Sequence, residues 1–163
     1  MNTKFYILLL FLPFSLFADN YVIFNQIMYD SPLNEKVTEP PYSNGEFIEL
    51  YNGGTDSVNL KNWLIKGDGT TEVYIFDSLI LAPCAFLLLA YRHNNSQDFQ
   101  INDLYHNLPP TANYQIVYQN KIVLSNSGEH LILKNSLNQT VDSIYYDGTS
   151  HKNNSLQALI VQM

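Results

Sequence analysis

From residue 21 onward the chain sustains no helical period; short runs rich in β-branched and aromatic residues recur instead, separated by glycine, asparagine and proline. The runs cover residues 21–29, 45–52, 58–65, 73–76, 79–81, 86–91, 114–118, 122–124, 130–133 and 141–146. Strands of that length and spacing fit an all-β sandwich. In the second run the side-chain period of two puts Ile48 and Leu50 on the core face and Phe47, Glu49 and Tyr51 on the other. The Asn52-Gly53 step after it predicts a hairpin into residues 58–65, where Trp63 is expected to plug the space between sheets. Residues 86–91 are apolar on both faces, which fits a strand covered on both sides or a buried helical turn. The last two runs read as a hairpin, and one helical turn is expected within residues 103–108.

A chain of 163 residues has room for one domain with a real core, and its apolar content of 46% with 13% aromatics supplies the material. Cys84 is the sole cysteine, so packing must replace disulfides, and the residue is expected to be a small apolar filler at the Pro83-Cys84 corner. The N-terminus has the order of a secretory signal: Lys4, an apolar run over residues 5–12, Pro13 as a helix breaker, and Ala18 at the cut. That run is shorter than the ~20 residues of a membrane span, so cleavage is favoured over anchoring. The expected organisation is a signal peptide at residues 1–18, a sandwich domain at 19–150, and a C-terminal segment at 151–163, with no transmembrane segment after cleavage. Residues 156–161 read as a final edge strand or as the ragged end of a truncated frame. The location expected is secreted or cell envelope, extracellular or periplasmic.

Eight basic against 15 acidic side chains give a net charge of −7, and −8 once Lys4 leaves with the signal. The remaining basic residues stand singly, without the stripe that displaces counterions from a phosphate backbone, so no nucleic-acid partner is expected. Asp30, Glu46 and Glu49 could converge with Asp68 to offer the hard oxygen ligands that calcium takes, although the spacing is no known calcium loop. The plainer reading is that Glu49 accepts hydrogen bonds from nearby backbone amides. No other cofactor is expected: His93, His106, His130 and His151 lack metal spacing, and Ser125 and Ser127 sit in a turn without a nucleophile elbow. The chain is therefore read as non-catalytic. Tyrosine is too abundant for a core alone, and its broad ring with a polar tip suits interfaces. Tyr29, Tyr51, Tyr91 and Tyr105 are the candidate binding residues, with the loops at residues 30–44 and 92–113 as a candidate surface for a protein or glycan partner.

Several of these runs, taken together, resemble the lamin-tail domain, bacterial exported type. They are Ile23-Phe24-Asn25-Gln26-Ile27-Met28-Tyr29-Asp30, Glu46-Phe47-Ile48-Glu49-Leu50-Tyr51-Asn52, residues 58–65, Leu81-Ala82-Pro83, residues 124–133 and Val141-Asp142-Ser143-Ile144-Tyr145-Tyr146. Two departures stand out: Gln26 where the family usually has Glu, and no Trp-Pro turn near Ser150. The resemblance implies an immunoglobulin-like β-sandwich acting as an exported binding or structural module of the envelope or extracellular space. The alternative it implies is an accessory subunit of an exported hydrolase or nuclease.

Overall fold

A computed structural model of the chain describes residues 21–31, 44–68, 72–93, 98–105 and 113–148, and the backbone of a strand at 157–160. The expected signal peptide at residues 1–18, most of the expected loop at 30–44, part of the expected loop at 92–113, and His106 and His151 lie outside the described residues. Three sheets are formed. The larger layer holds β1 (Val22–Asp30), β2 (Phe47–Asn52), β7 (Phe86–Tyr91), β8 (Tyr114–Gln119) and β11 (Gln157–Ile160), in the order β11-β1-β2-β7-β8. The facing layer holds β4 (Leu64–Lys66), β5 (Val73–Ile75), β9 (Glu129–Lys134) and β10 (Thr140–Tyr146), in the order β10-β9-β4-β5. A two-stranded ribbon joins β3 (Val58–Asn59) to β6 (Ile80–Leu81). This is the β-sandwich that the alternation demands.

The core lies between the two layers. Ile48 and Leu50 of β2, Leu87 and Leu89 of β7, Ile65 of β4 and Leu131 and Leu133 of β9 are all buried in it. β1 reaches the same core by changing parity. Its pairing with β2 shifts between Phe24 and Gln26, so Asn25 is a bulge. Val22 and Phe24 point inward before the bulge, and Ile27 and Tyr29 after it. β7 is buried on both faces, as a strand and not as a helical turn. Its inner residues join the central core while Leu88 and Ala90 join a second cluster outside the sheet, with Met28, Phe47 and Ile101. The short helix α1 (Ile101–Leu104), placed a few residues before the expected turn, belongs to the long connection from β7 to β8 and contributes Ile101 to that outer cluster. β8 runs parallel to β7, and a parallel neighbour requires such a crossover.

Four expectations are corrected. The Asn52-Gly53 step makes no hairpin, because β2 sits between β1 and β7. Asn52 is instead a buried tie: its side-chain amide donates to the carbonyls of Asp56, Leu81 and Ala82, and its Oδ1 accepts from Gly54 N–H. Residues 58–65 form two strands in two sheets, broken at Asn62, whose φ of 63° is left-handed, and Trp63 packs half-buried against the core beside that break. Residues 122–124 form no strand, although Ile122 and Leu124 are buried. Cys84 is exposed at φ 55° and fills nothing. The β9–β10 hairpin forms as expected, and of the two readings of the C-terminal segment the backbone at 157–160 takes the strand one, as β11 paired antiparallel with β1.

Candidate functional site

The outer face of the five-stranded sheet is built in register rows across β1, β2, β7 and β8. One row is Met28, Phe47, Ala90 and Tyr118; the next is Gln26, Glu49, Leu88 and Ile116; the third is Ile23, Tyr51, Phe86 and Tyr114. The first row is covered. Ile101 of α1 is wholly buried against it, and two tyrosine hydroxyls fasten the covering segment. Tyr118 accepts from Ile101 N–H at 2.9 Å, and Tyr105 donates to the Gly45 carbonyl at 2.9 Å.

The third row is aromatic and half-buried. The Tyr51 and Phe86 ring centres are 4.7 Å apart, and those of Phe86 and Tyr114 are 6.2 Å apart. The rings tilt by only 32° and 35° between neighbours, so three side chains from three strands lie side by side as a shallow platform. Tyr21, 42% exposed, extends it: its ring lies over Gly53, where any Cβ would stand 2.2 Å from a ring carbon. A side chain there would have to displace the Tyr21 ring.

Polar groups fix the platform from beneath and from one side. Glu49, buried in the middle row, accepts the Tyr114 hydroxyl on Oε2 at 2.8 Å and the Asn25 side-chain amide on Oε1. Burial, then the Glu49 charge and hydrogen bond, push the Tyr114 hydroxyl far above the ordinary tyrosine value, so it remains a donor. A hydrogen bond to the Cys84 thiol and then burial raise Tyr51 as well. The bulge at Asn25 is what brings an amide to Glu49.

The other candidate residues are distributed elsewhere. Tyr29 is buried and stacks on Tyr146 with ring centres 4.7 Å apart. Tyr91 is buried beside Glu46, lining with Gln119, Ile122 and Leu124 a crevice too tight to admit water. Tyr105 sets its ring edge-on against Phe47 at 5.5 Å. Of the four, Tyr51 belongs to the platform.

Glu46, Glu49 and Asp68 do not converge. Glu46 and Glu49 fall on opposite faces of one extended segment, because the side-chain period is two. Glu46 turns inward and accepts Leu124 N–H at 2.8 Å, while Asp68 accepts His130 N–H at 2.9 Å in the other layer. Among the described residues no group of three or more His, Cys, Asp or Glu is placed to hold a metal ion. Among the described residues Glu49 also departs from the plainer reading, its two oxygens accepting from the side chains of Asn25 and Tyr114.

A third buried carboxylate, Glu129, lies at the start of β9 in the four-stranded sheet. It accepts Asp68 N–H at 3.2 Å and Ser125 N–H at 3.4 Å, and Tyr146 OH lies at 3.3 Å. Burial raises its pKa above the ordinary carboxylate value, against the two amides that lower it. Phe86 and the Tyr114–Glu49 pair were not singled out by sequence, since only the register of three strands sets them together. No helix among the described residues is long and apolar enough to cross a membrane.

Among curated proteins none matches this sequence. Residues 17–148 match the family model of the Lamin Tail Domain, and the match spans β1 to β10 of the sandwich just described. With two layers of strands and the family's signature over most of its length, the chain belongs to the lamin tail domain family, a family of immunoglobulin-like β-sandwiches.

Proposed function

We propose that this protein is an exported, non-catalytic binding module that takes a glycan on the platform of Tyr51, Phe86 and Tyr114. The single observation carrying this reading is the aromatic row itself, three half-buried rings from three strands with Tyr21 beside them. A pyranose presents polarised C–H groups on a flat face and hydroxyls at its rim. Aromatic rings accept that face. The acidic surface also disfavours a polyanionic ligand, which points to a neutral or cationic chain.

Export rests on the order of Lys4, the apolar run and Ala18. It is tested by the mature N-terminus, expected at Asp19. Binding is tested by co-sedimentation with insoluble chitin, cellulose and peptidoglycan. Wild type is expected to sediment with at least one of them, and Phe86→Ala and Tyr51→Ala to lose it, with Tyr145→Ala on the opposite sheet as the control. Retention by none of the three, or retention unchanged in both platform variants, refutes the glycan reading and leaves a protein partner as the alternative.

A further inference from the structure

β8 is the outermost strand of the five-stranded sheet, and among the described residues no strand pairs with its far side. Its parallel ladder with β7 fixes which backbone groups face out. Phe86 N–H donates to Asn113 C=O and Arg92 N–H donates to Gln119 C=O, both at 2.8 Å. Odd-numbered residues of β8 therefore bond to β7, and the N–H and C=O groups of Tyr114, Ile116 and Tyr118 point away from the sheet. Three donors and three acceptors in a row form a template for another strand.

Natural edges are usually guarded by charge, proline or a bulge, and this one has none of these. Residues 113–120 read Asn-Tyr-Gln-Ile-Val-Tyr-Gln-Asn, with no charged side chain in a protein of net charge −7. The sequence is also close to symmetric about Ile116, with Tyr114 and Tyr118 at equal distance and Gln115 and Val117 between. Laid antiparallel on a copy of itself with Ile116 opposite Ile116, the strand pairs Tyr114 with Tyr118 on both sides. That single register uses all six outward groups of each copy. Charge agrees with it. Tyr114 carries Glu49 at its hydroxyl, and the Tyr118 ring carries Arg92 stacked 4.0 Å from its centre. Each half of the pairing thus sets the glutamate side of one copy towards the arginine side of the other. Ile80, 51% exposed and reached by the Gln115 side chain, adds an apolar flank.

We propose that two copies of this chain associate through β8, antiparallel about a two-fold axis at Ile116, into one continuous ten-stranded sheet. The inference is independent of the glycan reading and leaves the aromatic row open on the outer face. The association brings Tyr118 of the second copy, with Arg92 stacked on it, beside Tyr114.

The test uses sedimentation equilibrium and a cysteine trap on the mature chain. Wild type is expected to show a concentration-dependent dimer. Ile116→Pro removes only an outward N–H, so it leaves the β7 ladder whole and is expected to return a folded monomer by circular dichroism. In a Cys84→Ser background, Ile116→Cys sets two thiols on residues whose Cα atoms are about 5.5 Å apart in such a pair, within disulfide reach. It is expected to cross-link on mild oxidation, while Ser143→Cys on the opposite layer is not. A monomer at every concentration without a cross-link, or a dimer that survives Ile116→Pro, overturns the proposal. Capture of an unrelated extended peptide by the same edge with no self-association would also overturn it.

Discussion

The two layers turn opposite kinds of surface outward. On the five-stranded sheet the outer face is a second small core: Phe47, Leu88 and Ala90 are buried under Ile101, and Glu49 is tied to Tyr114 and Asn25. On the four-stranded sheet the outer face has no such cover among the described residues. Its rows mix Leu64, Ile75, Val73 and Ile132 with Lys66, Lys134 and His130, and Ile75 is 59% and Tyr145 69% exposed. The difference follows from the connections. A parallel β7–β8 pair needs a long crossover, and this one lays α1 on the face it crosses, whereas β9 and β10 are joined by a short turn that covers nothing. A sheet face is thus buried according to how its strands are linked, as much as by what they carry.

The largest test of that contrast is truncation on either side. Leu88→Ala removes a wholly buried side chain and is expected to cost about 2–5 kcal/mol in denaturant unfolding, at unchanged m-value. A loss below about 1 kcal/mol there would mean that the outer cluster is not a core. Polar ties come next. Tyr114→Phe leaves Glu49 buried with one donor fewer, and about 1–3 kcal/mol of stability is expected to go with it. Because Tyr114→Phe keeps the ring, glycan sedimentation should persist in folded protein, which separates the tie from the platform.

The two layers also differ in their buried carboxylates. Glu129 has a pKa held above the ordinary 4.5 by burial. A raised carboxyl means that the folded state binds the proton more tightly than the unfolded chain does. Its contribution to stability is therefore greatest at low pH and declines as pH rises from the unfolded value through the folded one. Comparing wild type with Glu129→Gln by thermal unfolding from about pH 4 to about pH 7 should show the difference drift in favour of the variant as pH rises. A difference independent of pH would refute the raised value. Smallest of all is the bare face: Ile75→Ser is expected to change stability by no more than about 0.5 kcal/mol. A larger loss would reveal a cover over the four-stranded sheet.

Gly128 offers a check on the turn that leads into Glu129. Its φ is 109°, and a Cβ there would meet the Tyr146 carbonyl at 2.7 Å, so alanine is strained both by conformation and by contact. Glycine is required at this position by its neighbours as well as by its own backbone.

Much of the fold was legible because it is local. Alternation in Phe47 to Tyr51 assigns the inner and outer side chains of β2 correctly, and the apolar run of β7 announces a strand buried on both sides. The hairpin of β9 and β10 follows from two alternating runs and a short polar turn. Misreadings arose where a local signal met a distant partner. Asn52-Gly53 has hairpin chemistry, yet Asn52 is used by the carbonyls of Leu81 and Ala82, about thirty residues on. The site was less legible. Residue type points to Tyr51, whereas Phe86 looks like any core residue of an apolar strand.

Sequence by itself determined much of the strand content, the family, the direction of the β2 side chains and the acidic charge, since each depends on residue type and on a period of two. Tertiary structure alone decided which strands became neighbours, and hence that Tyr51, Phe86 and Tyr114 share a row. It decided too that Glu49 finds its hydroxyl donor 65 residues away. The reason is that backbone hydrogen bonds are the same for every residue: they make any two strands able to pair, and the choice falls to packing across the whole core.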